Sequence, residues 1–170
     1  MIELGNGYFI RPISEEDNPY IENIILNVLK EYGAEGEGYA GSDPETKSMY
    51  NAYKGERSFY YVITKEDKVL GGGGISPLRG GDETICEFQK MYFLKEVRGK
   101  GLGKALLNIC LEQAKKLGFK KCYIETTQQM DEAQGLYLKV GFRPIEKSMG
   151  STGHFKIDRF YLKDFENDGE

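Results

Sequence analysis

Two neighbouring runs, Cys86-Glu87-Phe88-Gln89-Lys90-Met91-Tyr92-Phe93 and Val97-Arg98-Gly99-Lys100-Gly101-Leu102-Gly103-Lys104, decide how this chain is read. The first is rich in aromatic and long apolar side chains and is bounded by turn-forming residues, which predicts a strand. After the second, Leu102, Ala105, Leu106, Ile109, Cys110 and Leu117 recur at helical spacing, and Gly118 stands where the helix should stop. Between strand and helix, Gly99, Gly101 and Gly103 let the backbone approach a ligand closely, with Arg98, Lys100 and Lys104 interleaved. The helix start adds unpaired N–H groups and the positive end of the dipole, so the stretch reads as a cradle for a pyrophosphate. Taken alone, such a turn is equally compatible with a plain connector.

Two familiar phosphate loops are excluded. No Gly-x-x-x-x-Gly-Lys-Ser/Thr string occurs, and Gly99-x-Gly101-x-Gly103 has the wrong rhythm for a dinucleotide fingerprint. Composition narrows the field further. The 170 residues are 39% hydrophobic, which suits one domain over 1–170 with a single core. The formal charge of -4 and the absence of a long basic run argue against nucleic acid as a partner. Cys86, Cys110 and Cys122 are odd in number, lack Cys-x-x-Cys spacing, and read as buried thiols of a reducing compartment. No signal-peptide pattern and no apolar run of membrane-spanning length is found, so the expectation is a cytoplasmic protein without a membrane partner. A single histidine excludes sites built on several histidines, and no metal is expected.

Arg98-x-x-Gly101-x-Gly103 resembles the acyl-CoA signature of the GNAT superfamily of N-acetyltransferases. Met91 to Val97 resembles the family's apolar strand leading into the loop. Ala133-Gln134-Gly135-Leu136-Tyr137-Leu138-Lys139-Val140-Gly141-Phe142 is similar to its second signature, a tyrosine-bearing helix ending in Gly-Phe. The resemblance implies an α/β (α+β) fold: a mixed, mostly antiparallel twisted sheet with flanking helices, whose two central parallel strands splay around a bulge. It implies acetyl-CoA as donor, direct attack by an amine in a ternary complex, and no covalent acyl-enzyme. Residues 98–104 would then hold the diphosphate. Backbone amides near Met91, Tyr92 and Phe93 would pair with the pantetheine arm, one of them polarising the thioester carbonyl. Tyr137 would sit by the sulfur and protonate the thiolate. Glu87, four residues before Met91, is the candidate general base, with Glu125 as rival. The family often has Asn seven residues before the tyrosine, contacting the cofactor arm. Here that position is Met130, with Gln128 or Gln129 as candidate substitutes.

The rest of the chain supplies the frame. Tyr8-Phe9-Ile10 is a short strand, and Asn18-Pro19 opens a helix with Ile21, Ile24, Ile25, Val28 and Leu29 on one stripe, closed by Gly33. The acidic, Gly-rich stretch 34–43 is either a plain surface connection or an acceptor-binding lid, with Glu35 and Tyr39 as candidate contacts and Glu35 and Glu37 leaning toward a cationic acceptor. Asp43-Pro44 should cap a second helix burying Met49, Tyr50 and Tyr53. Strands at 59–64 and 69–75 form a hairpin whose Gly71 to Gly74 signal either tight packing under a helix or a bulge. Period-two alternation places Glu87, Gln89, Met91 and Phe93 on one face of the central strand. Strands at Phe142–Met149 and His154–Leu162 should close the sheet, and about 164–170 is expected to be a disordered tail. His154 is a candidate acceptor contact or alternative base. The acceptor is a small-molecule or peptide amine, and a homodimer is an admissible assembly. The competing classes are a non-catalytic acyl-CoA-binding regulatory module and a nucleotide-phosphate binder, which the glycine loop alone would permit.

Overall fold

In the computed structural model, which describes residues 1–167, eight strands form one mixed sheet in the order β1-β2-β3-β4-β5-β6-β8-β7. They are β1 (Ile2–Gly5), β2 (Tyr8–Pro12), β3 (Phe59–Lys65), β4 (Lys68–Pro77), β5 (Ile85–Phe93), β6 (Lys121–Thr126), β7 (Arg143–Ile145) and β8 (Arg159–Asp164). Helices α1 (Asn18–Glu31) and the single turn α2 (Met49–Ala52) cover one face; α3 (Leu102–Lys116) and α4 (Asp131–Val140) cover the other. The stripe predicted for α1 is its buried side, packed on Tyr60 and Val62 of β3. Leu106, Leu107, Cys110, Leu111 and Ala114 of α3 pack on Cys86, Phe88, Cys122 and Ile124. All three cysteines are buried and free. No helix among the described residues is long and apolar enough to cross a membrane.

Every neighbouring pair is antiparallel except β5 and β6, which run parallel and pair only at Ile85↔Lys121, Cys86↔Cys122 and Glu87↔Tyr123. Beyond Glu87 the two strands separate into a fork. The cause lies on the opposite edge of β5, where Gly72 pairs with Tyr92 but Gly74 pairs with Gln89. Two residues, Lys90 and Met91, therefore oppose Gly73 alone, and Lys90 takes a left-handed conformation (φ 53°). The glycine run makes this bulge fit from both sides. A Cβ on Gly72 or Gly74 would fall 2.6–2.7 Å from the Tyr60 ring, which lies across the strand so that its hydroxyl donates to the Lys90 carbonyl (2.7 Å). Both readings of the run, tight packing and a bulge, hold together.

The bulge corrects the expected alternation. Its extra residue inverts the parity of the strand, so Met91 and Phe93 join Phe88 on the α3 side, while Tyr92 packs on the α1 side.

Other expectations shift as well. A first strand, β1, precedes the expected one, across a turn in which Gly5, Asn6 and Gly7 all have positive φ. The helix start moves one residue, because Asp17 is held by Arg11 (2.7 and 2.9 Å) and by the Ser14 N–H, while Asn18 Oδ1 accepts the Tyr50 N–H. Asp43-Pro44 opens only a 3-10 turn, Pro44–Lys47. The closing strands are shorter than expected: β7 ends at Ile145 and β8 begins at Arg159, because residues 146–158 leave the sheet to cross the fork. The first residues of the expected tail are ordered. β8 runs through Asp164, the Phe165 N–H donates to the Lys120 carbonyl (2.9 Å), and residues 168–170 lie outside the described residues.

Candidate functional site

The fork has a cleft on each side. The larger, ≈ 670 Å³, is lined by Met91, Tyr92, Phe93, Arg98, Gly99, Gly101, Leu102, Gly103, Lys104, Met130 and Leu136, among others. Gly99 (φ 74°) and Gly101 (φ 77°) adopt left-handed backbone, where a side chain is strained. Gly103 begins α3 so close to Phe93 and Leu136 that a Cβ there would meet them at 3.2–3.4 Å. Among the described residues, the N–H groups of Gly99, Lys100, Gly101, Leu102, Gly103 and Lys104 have no acceptor; the first loop–helix bond is Ala105 N–H to the Gly101 carbonyl. Six free donors at a helix start, beside Lys100 and Lys104, which make no ion pair with the described residues, form an anion cradle.

Arg98 lies in this cleft but is already committed. Its Nε and Nη2 donate to the Phe93 carbonyl (3.0 and 2.8 Å), and its guanidinium pairs with Glu31 of α1 and reaches the Tyr32 hydroxyl. It ties loop to strand and helix. Along β5, the Leu94 N–H bonds to the Leu70 carbonyl and the Tyr92 carbonyl faces Gly71. By alternation the main-chain groups of Tyr92 face β4 and those of Met91 and Phe93 face away from it, toward the fork, where the Phe93 carbonyl is taken by Arg98 and the Met91 groups stay open.

On the other side lies a smaller pocket of ≈ 260 Å³, walled by Tyr39, Asp43, Glu45, Tyr53, Glu87, Gln89, Lys90, Glu125, Thr127 and His154 among others. Glu87 closes the paired part of the fork and is 4% exposed. Burial, and next the neighbouring Glu125, raise its pKa to about 7. Gln89 Nε2 donates to Glu87 Oε1 (2.6 Å), and Gln89 in turn accepts from the Tyr53 hydroxyl (2.6 Å). Glu87 Oε2 has no partner among the described residues, which leaves one oxygen of a near-neutral carboxyl free in the pocket. Glu125 differs. Its Oε2 accepts the Tyr123 hydroxyl (2.8 Å) and its Oε1 lies 2.7 Å from His154 Nδ1. His154 Nε2 lies 2.7 and 2.9 Å from the two oxygens of Asp43. With both ring nitrogens on carboxylates, the imidazole donates twice, and it cannot also accept a substrate proton. Asp43 further takes the Lys90 ammonium at 2.8 Å; losing one partner of so buried a pair costs about 3–5 kcal/mol.

The expected site residues thus separate. Glu87, Glu125, His154 and Tyr39 come together at the pocket, while Glu35 is exposed on its loop and lines neither cleft. Tyr137 is buried between the rings of Phe142 and Tyr161, and burial raises its phenol well above the usual value. Tyr92 lines both clefts, and burial raises its phenol too, with Tyr137 the next cause. Neither hydroxyl has a protein partner among the described residues. Gln128 and Gln129 are exposed; the buried polar atom without a partner is Thr127 Oγ1, in the wall of the small pocket. Sequence reasoning misses Asp43, Lys90, Thr127 and the side chain of Tyr92. Asp43 is masked by its plausibility as a helix cap, and Lys90 by the unbroken alternation expected of β5.

The model of the acetyltransferase (GNAT) family matches residues 24–142, spanning fork, loop and α4. The uncharacterized N-acetyltransferase YjgM of Escherichia coli K12 is 45% identical over 156 residues, covering 91% of this chain and 93% of that one. Among solved structures, a GNAT-family acetyltransferase of Staphylococcus aureus Mu50 superposes with a TM-score of 0.80 at 21% identity, covering 92% of this chain and 98% of its own. The yncA protein of Salmonella typhimurium, solved with its cofactor acetyl-CoA, gives 0.74 at 18% identity, covering 97% and 98%. With an eight-stranded sheet forked between the parallel strands β5 and β6 and a free-amide loop beside the fork, the chain belongs to the acetyltransferase (GNAT) family.

Proposed function

We propose that the protein transfers the acetyl group of acetyl-CoA to a primary amine by direct attack within a ternary complex. The observation that carries this reading is that the two clefts meet, sharing Tyr92 and Met130 at the mouth of the fork. Acetyl-CoA supplies an activated thioester. Residues 99–104 suit its diphosphate, because the six unpaired amides match an anion's demand and the left-handed glycines keep side chains out of the approach. The edge of β5 that faces the fork, with the Met91 main-chain groups and the Phe93 N–H open and the Phe93 carbonyl held by Arg98, suits an extended arm that pairs as a strand does.

On the pocket side, Glu87 acts as general base. An amine enters as its ammonium, and a carboxyl with a pKa of about 7 is matched to taking that proton near neutrality. Glu125 is excluded from this task, since His154 and Tyr123 hold both its oxygens. Tyr137 is the proton donor for the departing thiolate. Tyr92 is the second reading for that role, favoured by its place where the clefts join and by its free hydroxyl. Thr127 Oγ1 is a hydrogen-bonding contact for the acceptor.

The test is thiol release from acetyl-CoA across a panel of polyamines, amino acids, aminoglycosides and peptides, run with Tyr137→Phe and Tyr92→Phe. Release with at least one amine, and a lowered kcat with retained acetyl-CoA binding in one phenylalanine variant, is the expected result. Release at background across the panel would favour a non-catalytic acyl-CoA-binding module. Full activity in both variants would remove the phenols from the mechanism.

A further inference from the structure

The loop of residues 146–158 is a long excursion that a sheet protein would ordinarily leave in solvent. Here it folds back over the pocket. Gly150 (φ 67°) and Gly153 (φ 81°) allow the reversal, and the Lys156 N–H donates to the Gly38 carbonyl (3.3 Å). The approach of this loop to the one after α1 is so close that a Cβ on Gly38 would fall 2.8–2.9 Å from Lys156 and the Phe155 ring. Where the two loops meet, His154 of the first faces Asp43 of the second. A chain of polar contacts runs through it from the bulge to the loop: Lys90 to Asp43, Asp43 to His154, His154 to Glu125, Glu125 to the Tyr123 hydroxyl, which also receives the Met149 N–H (3.3 Å).

We propose that His154 is a positioning residue of the acceptor pocket: as an imidazolium it bridges Asp43 and Glu125, fastens the two loops across the fork, and shields Glu87 from the Glu125 carboxylate. This rests on the reading of Glu87 as the base. Two carboxylates at 2.7 Å on opposite sides of one ring hold a doubly protonated imidazole in place, and they raise its pKa to about 9 against the opposing effect of burial. The groups that bear on the pair come from every neighbouring element. Asp43 and Glu45 lie on the loop after α1, Tyr53 follows α2, Gln89 and Lys90 lie on β5, and Tyr123 and Glu125 on β6. For Glu87, Glu125 opposes ionisation, whereas His154 and Lys90 favour it. A neutral residue at 154 leaves Glu125 unbalanced, so Glu87 should hold its proton to higher pH.

The decisive measurement compares pH profiles of kcat/KM for the acceptor in the wild type, His154→Gln and the double variant His154→Gln/Glu125→Gln. In the wild type the rate should rise as Glu87 ionises near pH 7 and fall as the strut loses its proton near pH 9. His154→Gln should abolish the alkaline fall, move the acid limb up by about one pH unit, and raise the acceptor KM without changing that of acetyl-CoA. Removing the Glu125 charge as well should bring the acid limb back down. A limb that stays put in His154→Gln, or one that the second substitution does not restore, overturns the shielding. Because the chain has a single histidine, its imidazole resonance gives an independent reading without any acceptor. A titration midpoint near 9 supports the strut; a midpoint at or below the ordinary 6.5 overturns it. Should Glu87→Gln retain full activity, the base assignment falls while the titration still judges the strut.

Discussion

The cleft beside the loop is made of backbone, whereas the pocket on the other face of the sheet is made of side chains. In the first, binding capacity comes from N–H groups that Gly99, Gly101 and Gly103 leave free and accessible, over a contiguous stretch joining one strand to one helix. In the second, Glu87, Gln89, Lys90, Asp43, Glu125, Thr127 and His154 arrive from β5, β6, the short connection after β6 and two long loops, and each is held by another of the set or left as an unpaired group. A site of the first kind tolerates drift in everything except its glycines. One of the second kind depends on the folded positions of distant segments.

Three substitutions probe that division. Glu87→Gln keeps the size of the side chain and an oxygen for the Gln89 amide but removes the carboxylate proposed as base, so kcat should drop by about 10²–10⁴-fold with acetyl-CoA affinity intact, as read by steady-state kinetics and calorimetry. If acetyl-CoA binding fell equally, the two sides of the fork would not be separable. Gly101→Val forces a β-branched residue into left-handed backbone at a cost of about 1–2 kcal/mol, so the KM for acetyl-CoA should rise roughly tenfold while the acceptor KM stays unchanged. The smallest effect belongs to Thr127→Val, which is close to isosteric and deletes one unpaired hydroxyl. A threefold rise, roughly, in acceptor KM alone is expected, and a rise in the KM for acetyl-CoA instead would reassign Thr127 to the other cleft.

The same division decides which features are legible in the sequence. The loop, α3 and the Gly-Phe end of α4 are local patterns, each a few residues long, and their glycines state the backbone geometry outright. That β5 and β6 are parallel and splayed follows from family resemblance rather than from spacing. The inverted parity after Lys90 is hidden, because a bulge depends on Gly73 across the ladder and on Tyr60 lying over Gly72 and Gly74, none of which lies near Lys90 in sequence. Likewise Asp43 and His154 stand 111 positions apart, and only the folded loops bring them within 2.7 Å. Glu35 stands out as an acidic residue in a glycine-rich loop, yet the same loop turns Asp43 inward and leaves Glu35 in solvent.

Position 90 belongs to both halves. Left-handed backbone usually falls to glycine, and keeping a lysine there costs about 1–3 kcal/mol of local strain. Its main chain makes the bulge in β5, while its ammonium, deep in the wall of the smaller pocket, is held by Asp43. Glycine would ease the kink and delete the cation; any neutral residue with a side chain would keep the strain and lose the pairing. Every neutral exchange at position 90 should therefore shift the KM values of both substrates at once, whereas Gly101→Val and Thr127→Val each move one alone.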